Sequence, residues 1–166
     1  MLKLKKVLRN RLSEARRVAI LGIGSDLRAD DAAGMLSAAA IQSKLSKIKK
    51  RIPVKIFFGE TAPENLTGDI KRFKPSHIVI VDSLDARKRA GSIYLFKPEE
   101  IAEGTSFSTH KMPAKILVDY LTASCGCQTT IIGIQPKTLD FGGSVTPAVS
   151  RAASNVADVL FGVIRG

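Results

Sequence analysis

An apolar strand that breaks at glycines and leads into an acidic helix start is the feature that most constrains this chain. Residues 18–34 read VAILGIGSDLRADDAAG. The apolar run is typical of a buried strand; Gly22 and Gly24 end it, and the acidic pair Asp30 and Asp31 precedes an alanine-rich helical pattern. Ligands of open α/β sheets bind outside the carboxyl ends of the strands. Both acids are therefore candidates for a functional site.

The same acids also suit a structural role. An aspartate in the first turn of a helix accepts backbone N–H groups and complements the helix dipole, and we expect this role for Asp30. A dinucleotide-binding fingerprint is excluded because its third glycine would fall at position 27, where the chain has Leu27. The stretch therefore does not predict phosphate binding.

Length and composition favour one globular domain, residues 1–166, that begins with a basic helical extension at 1–16. The chain is 45% hydrophobic but only 5% aromatic, so the core is expected to consist of Ile, Val, Leu and Ala. No apolar run approaches the ~18 residues of a membrane span, and no secretory signal is evident. We expect a cytoplasmic protein without membrane insertion.

Two cysteines, Cys125 and Cys127, are separated by a single glycine. That spacing is too short for ordinary disulfide geometry, and the sequence has no Cys-x-x-Cys or Cys/His zinc pattern. We interpret both as partly buried free thiols in a reducing compartment.

The net charge of +11 is concentrated in residues 1–17 and 44–55. Such basic patches can bind nucleic acid or an acidic protein surface. No aromatic residue lies within either patch, although single-strand binders stack bases on aromatic rings. We interpret the patches as solvated faces and do not expect nucleic acid as a partner.

Apolar periodicity predicts alternating strands and helices, hence an α/β fold with a mostly parallel sheet. Strand 4 follows strand 3 without a helix, which allows it to run antiparallel beside the sheet. Strands are predicted near 17–23, 54–58, 77–82, 92–96 and 129–134, with helices near 2–16, 30–48, 64–73, 98–103, 113–123 and 147–164.

Three side chains could meet at the carboxyl edge of this sheet. Asp31 follows strand 1, Asp82 ends strand 3, and His110 lies in a Ser/Thr-rich loop that could fold over the same edge. Strands 1 and 3 are commonly neighbours in such sheets. Two carboxylates and one imidazole form a plausible site for nickel, zinc or manganese.

Five motifs, in order, carry a family resemblance over about residues 18–160. They are GIGSDLRADDAAG at 22–34, TAPEN at 61–65, IVD at 80–82, STHKMP at 108–113 and GIQP at 133–136. In this set the chain resembles the nickel–iron hydrogenase maturation endopeptidases. The family's motif differs at Ser25, where it usually has Asn, and at Ala32, where it usually has Gly. The basic N-terminal helix lies outside the resemblance.

The resemblance implies a three-layer α/β/α sandwich around a twisted five-stranded sheet. It implies an endopeptidase that removes a C-terminal extension from a hydrogenase large-subunit precursor once nickel is inserted. The metal-contacting and catalytic positions match Asp31, Asp82 and His110. Nickel would be supplied by the precursor, no organic cofactor is needed, and we expect a monomer.

The mechanism that follows is recognition of substrate-supplied metal. Nickel held by precursor cysteines would contact the three side chains, and water attack would be aided by Lewis-acid polarisation or by a carboxylate base. Glu60 and Glu64 are lesser acid/base candidates, and Glu64 better fits a first-turn helix acid. His77, at the start of strand 3, better fits a structural role, and no serine or cysteine nucleophile arrangement is evident.

Three alternatives stay open from the sequence. The first is a metallo-hydrolase with its own zinc or manganese. The second is a nucleic-acid-binding module built on the basic patches. The third is a nickel chaperone that binds the precursor without cutting it.

Overall fold

The computed structural model describes residues 2–48, 51–100 and 114–166, which contain five strands and five α-helices. The strands are β1 (Val18–Ile23), β2 (Val54–Glu60), β3 (His77–Ser83), β4 (Ile93–Phe96) and β5 (Gln128–Ile134). The helices are α1 (Leu2–Arg11), α2 (Ala33–Leu45), α3 (Thr67–Phe73), α4 (Ala114–Cys125) and α5 (Pro147–Arg165).

All five strands belong to one sheet in the order β2-β1-β3-β5-β4. Strands β2, β1, β3 and β5 are parallel, and β4 pairs antiparallel with β5, as the missing helix between strands 3 and 4 allowed. The central strands β1 and β3 are buried along their whole length, which their continuous apolar runs predict. β1 and β3 are neighbours, so their carboxyl ends lie side by side.

Side chains alternate along the central strands and form a hydrophobic core on each face of the sheet. Val18, Ile20 and Val79 pack on one side against apolar residues of α1, α2 and α5. Ala19 and Ile80 pack on the other side against α3 and α4. The mostly parallel, three-layer α/β/α arrangement expected from the sequence is therefore confirmed.

The predicted helix at 30–48 is wrong in its first turn. A 3₁₀ turn, Ala29–Ala32, precedes the α-helix, which starts only at Ala33. The predicted helix near 64–73 likewise begins with a 3₁₀ turn, Pro63–Leu66. Helix α1 ends at Arg11, earlier than the predicted residue 16. The turn predicted at 98–103 is a 3₁₀ turn over Pro98–Glu100, and its remainder lies outside the described residues.

Within the described ranges, every helix is too short or too polar to cross a membrane.

Candidate active site at the carboxyl edge of the sheet

Two of the three predicted site residues meet at the carboxyl edge of the sheet. Asp82 is the penultimate residue of β3, and Asp31 lies in the 3₁₀ turn after β1. Both carboxylates are fully buried. The neighbouring positions of β1 and β3 bring these acids together although 50 residues separate them in sequence.

Ser83 joins the two carboxylates. Its hydroxyl donates to Asp31 Oδ1 at 3.1 Å, and its backbone N–H donates to Asp82 Oδ1 at 2.7 Å. A third donor, the backbone N–H of Ser25, lies 2.9 Å from Asp31 Oδ2. These three hydrogen bonds fix the orientation of the two buried carboxyl groups relative to each other.

Sequence reasoning missed Ser83. A hydroxyl directly after a strand-end acid is visible in the sequence, but it gives no sign of which neighbouring loop it faces. The structure shows that Ser83 reaches Asp31, because the carboxyl ends of β1 and β3 lie side by side.

Two glycines permit the close packing that positions Asp31. Gly24 has φ +133°, and a Cβ there would lie 1.9 Å from the carbonyl oxygen of Asp31. A Cβ on Gly34 would lie 2.1 Å from the carbonyl oxygen of Val81 and 2.2 Å from that of Ile23. Each position excludes any larger residue, so these glycines serve backbone packing at the site.

Ser25 and Ala32, the two departures from the family motif, are both compatible with this geometry. Ala32 has φ −64° and ψ −3°, which is right-handed helical space, so alanine is favourable there and glycine is not required. Ser25 holds Asp31 through its main chain, and its hydroxyl accepts a hydrogen bond from the Leu27 N–H at 3.2 Å.

Asp30 lies in the acidic first turn as expected, but its carboxylate bonds to a distant loop. Oδ2 accepts the N–H groups of Lys137 and Thr138, at 2.8 and 3.3 Å, and the Thr146 hydroxyl at 3.0 Å. Oδ1 accepts the Thr146 N–H at 2.6 Å. Asp30 therefore fixes the loop between β5 and α5, while its neighbour Asp31 belongs to the carboxylate pair.

The lesser acid candidates lie outside this pair. Glu60 is exposed at the end of β2, and its carbonyl oxygen accepts the Gly24 N–H at 3.0 Å. Glu64 occupies the first turn of the 3₁₀ segment Pro63–Leu66, as expected of a helix-start acid.

His77 and the cysteines occupy the opposite, amino edge of the sheet. His77 Nε2 lies 2.9 Å from Thr130 Oγ1, and burial, with a smaller contribution from Arg11, lowers the pKa of His77 to about 4. Cys125 and Cys127 are free thiols, as predicted. Burial raises the pKa of Cys127 to about 12, so its thiol is neutral.

His110 lies outside the described residues, as does the rest of its STHKMP motif. Among residues 2–48, 51–100 and 114–166, no group of three or more His, Cys, Asp or Glu side chains is placed to hold a metal ion. The described part of the chain thus supplies the two carboxylates of the predicted triad.

The model of the HycI family, hydrogenase maturation protease, matches residues 39–162. A Methanocaldococcus jannaschii protein, provisionally named a hydrogenase maturation protease, is 34% identical over 164 residues, covering 97% of this chain and 96% of that protein. The hydrogenase 3 maturation protease of Escherichia coli K12 is 32% identical over 143 residues, covering 86% of this chain and 88% of that protein.

The fold is similar to the crystal structure of a NiFe hydrogenase maturation protease, HycI, from Thermococcus kodakarensis. The TM-score is 0.84 at 27% identity, with 96% of this chain and 99% of that chain covered. The likeness therefore reaches into α1, beyond the span of the sequence motifs. The chain belongs to the HycI family of hydrogenase maturation proteases, and it is a hydrogenase maturation endopeptidase.

Proposed function

We propose that this endopeptidase removes the C-terminal extension of a nickel–iron hydrogenase large-subunit precursor after nickel insertion. Family membership supports the reaction class and the large-subunit substrate. The observation that supports the place of reaction is the buried Asp31–Ser83–Asp82 unit at the carboxyl edge, where ligands of α/β sheets bind.

Nickel is proposed to arrive with the precursor, held by its cysteines, and to be contacted by Asp31, Asp82 and His110. Carboxylate oxygen and imidazole nitrogen are suitable ligands for a borderline divalent ion. Three protein ligands without a thiolate leave coordination positions to the precursor. The enzyme would then position only a precursor that already holds metal, and no organic cofactor is required.

The water that attacks the peptide bond has two candidate activators in this arrangement: the bound metal and a carboxylate. Asparagine variants at 31 and 82 separate them, because an amide keeps an oxygen ligand but is no longer a base. Metal binding and single-turnover cleavage are measured for Asp31→Asn and Asp82→Asn. If one variant still binds metal but no longer cleaves the precursor, the replaced aspartate is the base.

We further propose that residues 1–166 form one domain that works as a cytoplasmic monomer, without membrane insertion or a nucleic-acid partner. Two hydrophobic cores on the faces of one sheet support the single domain. Size-exclusion chromatography with light scattering tests the monomer, and a dimer mass contradicts it.

Cleavage of nickel-loaded and nickel-free precursor by the purified protein tests the function directly. The expected result is a mass loss equal to the extension only with nickel-loaded precursor. Equal cleavage of both precursors contradicts nickel gating, and binding without cleavage supports the chaperone alternative.

Asp158→Asn is a matched control for the site substitutions. Asp158 is an exposed acid on α5 that pairs with Lys44 at 2.7 Å, so its loss removes a carboxylate without touching the site. Metal analysis of the purified enzyme completes the test, because a stoichiometric resident ion would favour the metallo-hydrolase alternative.

A further inference from the structure

A cleft of about 640 Å³ opens at the carboxyl edge, between the loop after β3 and the loop after β5. Neither Asp31 nor Asp82 lines this cleft, but both of its walls connect to them. The β3 loop continues from Asp82, and the β5 loop is hydrogen-bonded to Asp30, which precedes Asp31. The volume lies within the range of about 300–1,000 Å³ that is typical of ligand sites.

Gln135, a buried side chain, fixes the first wall. Its Oε1 accepts the N–H groups of Ala86 at 2.8 Å and Lys88 at 3.2 Å. Its Nε2 donates to Asp85 Oδ1 at 3.1 Å. A loop held at three points by one buried amide keeps its shape before any ligand arrives.

Asp30 fixes the second wall. Its carboxylate accepts the N–H groups of Lys137 and Thr138, so the backbone that carries the Lys137 side chain is held in place. The cleft is therefore preorganised from both sides by buried polar groups.

Positive charge predominates among the residues that line the cleft. Arg87, Lys88 and Lys137 contribute three cations, and all three side chains are exposed. The one acid in the lining, Asp85, accepts hydrogen bonds at Oδ1 from the Arg87 N–H at 2.9 Å and from Gln135. These bonds tie Asp85 to its own loop and to Gln135 of the opposite wall, and the three cations outnumber this one acid, so the lining carries a net positive charge.

We propose that this cationic cleft binds a carboxylate of the precursor's C-terminal extension, either an acidic side chain or the terminal carboxylate. The inference rests on the proposed function. Lysine and arginine pair with carboxylates by charge-assisted hydrogen bonds. A carboxylate held in the cleft would fix the extension beside Asp31 and Asp82 and so help to place the scissile bond.

The double variant Lys88→Glu/Lys137→Glu tests this proposal on nickel-loaded precursor. We expect KM to rise about tenfold and kcat to change by less than about twofold, because charges at the rim of an interface act mainly on encounter and docking. Both side chains are exposed, so the fold is preserved. The matched control is Lys47→Glu, an exposed lysine beyond the end of α2, which should leave KM unchanged.

Two altered precursors identify the source of the carboxylate. In one, the acidic side chains of the extension are replaced by amides; in the other, the terminal carboxylate is amidated. The precursor that has lost the bound carboxylate should show a raised KM with the wild-type enzyme and no further rise with the double variant. Normal cleavage of both altered precursors overturns the proposal.

The wild-type reaction is measured first. If nickel-loaded precursor is not cleaved, the proposed function fails, and this inference fails with it. If it is cleaved and the double variant has an unchanged KM, or Lys47→Glu raises KM equally, only the cleft proposal fails.

Discussion

The two edges of the sheet bury titratable groups in opposite ways. At the carboxyl edge, Asp30 and Asp31 are fully buried and receive hydrogen bonds from backbone N–H groups and hydroxyls. At the amino edge, His77 is buried beside a single hydroxyl, and its pKa is lowered to about 4. One edge surrounds acids with donors, and the other keeps a base neutral.

This difference shows which edge of the sheet can accommodate a buried charged group. A buried ion is tolerated when donors replace its lost hydration, and the carboxyl edge supplies them. At the amino edge, the described residues give the His77 imidazole a hydrogen bond with Thr130, and the nearby positive charge of Arg11 disfavours a second cation. His77 is therefore a neutral packing residue, although an imidazole often marks an active site.

Replacing an acid of the carboxyl edge should give the largest effect. Asp82→Ala and Asp31→Ala are each expected to lower kcat/KM for nickel-loaded precursor by about 1000-fold, within the range for groups that act at a reacting atom. Rates are measured by mass loss of the precursor, and melting curves verify folding. Retention of activity in both variants would remove these residues from the site.

Burial of His77 at the amino edge should make the free energy of unfolding depend on pH. His77 titrates near 6.5 when unfolded and near 4 when folded, so the unfolded chain binds more protons between these values. The stabilisation of the folded state by neutral His77 is therefore complete above pH 6.5. It decreases as the pH falls and is lost below about pH 4, which lowers the free energy of unfolding by about 3 kcal/mol.

His77→Gln should reduce the change in the free energy of unfolding between pH 6.5 and 4, because glutamine does not titrate but still offers Thr130 a hydrogen bond. Urea unfolding of both proteins between pH 7 and 4 measures the difference. Parallel curves would show that His77 is not the group responsible.

Asp30→Asn should distinguish the structural role of Asp30 from the proposed site role of its neighbour Asp31. The Asp30 carboxylate accepts four hydrogen bonds from the β5–α5 loop. In the asparagine variant, an NH₂ group replaces one of the two accepting oxygens, so N–H groups of the loop lose their acceptor. We expect the free energy of unfolding to fall by about 2 kcal/mol. Chemical denaturation measures this, and a stability equal to that of wild type would contradict the role of Asp30 in holding the loop.

Ser83→Ala should give the smallest change. The Ser83 hydroxyl donates to Asp31 at 3.1 Å and so orients it, and loss of such a supporting hydrogen bond should lower kcat/KM about tenfold. Ser83→Thr keeps a hydroxyl and should recover most of the rate. Equal rates for the alanine variant and wild type would mean that Asp31 needs no such orientation.

The strands beside the site were predictable because continuous apolar runs in the sequence indicate that they are buried. Residues 78–81 form a continuous apolar run, which is typical of a strand covered on both faces, and Asp82 ends that run. The neighbouring positions of β1 and β3 followed from the usual order of such sheets and placed Asp31 near Asp82.

The contacts between side chains were not predictable, because they depend on register and on loops far apart in the chain. Asp30 meets Thr146, 116 residues later, and no local pattern distinguishes it from an ordinary helix-start acid. Ser83 contacts Asp31 because the end of β3 lies beside the turn that follows β1. The role of His110 stays a prediction, because that residue lies outside the described ranges.

The position of β5 has a consequence for synthesis of the enzyme. β4 leaves the ribosome before β5 does, yet among the described strands it pairs with β5 alone. The loop that Asp30 holds is made later still, just ahead of α5. A nascent chain that stops before residue 128 therefore has both acids of the site but lacks a neighbour for β4 and the loop that anchors Asp30. The turn that carries Asp30 and Asp31 therefore gains its hydrogen bonds to the β5–α5 loop only after β5 has been synthesised.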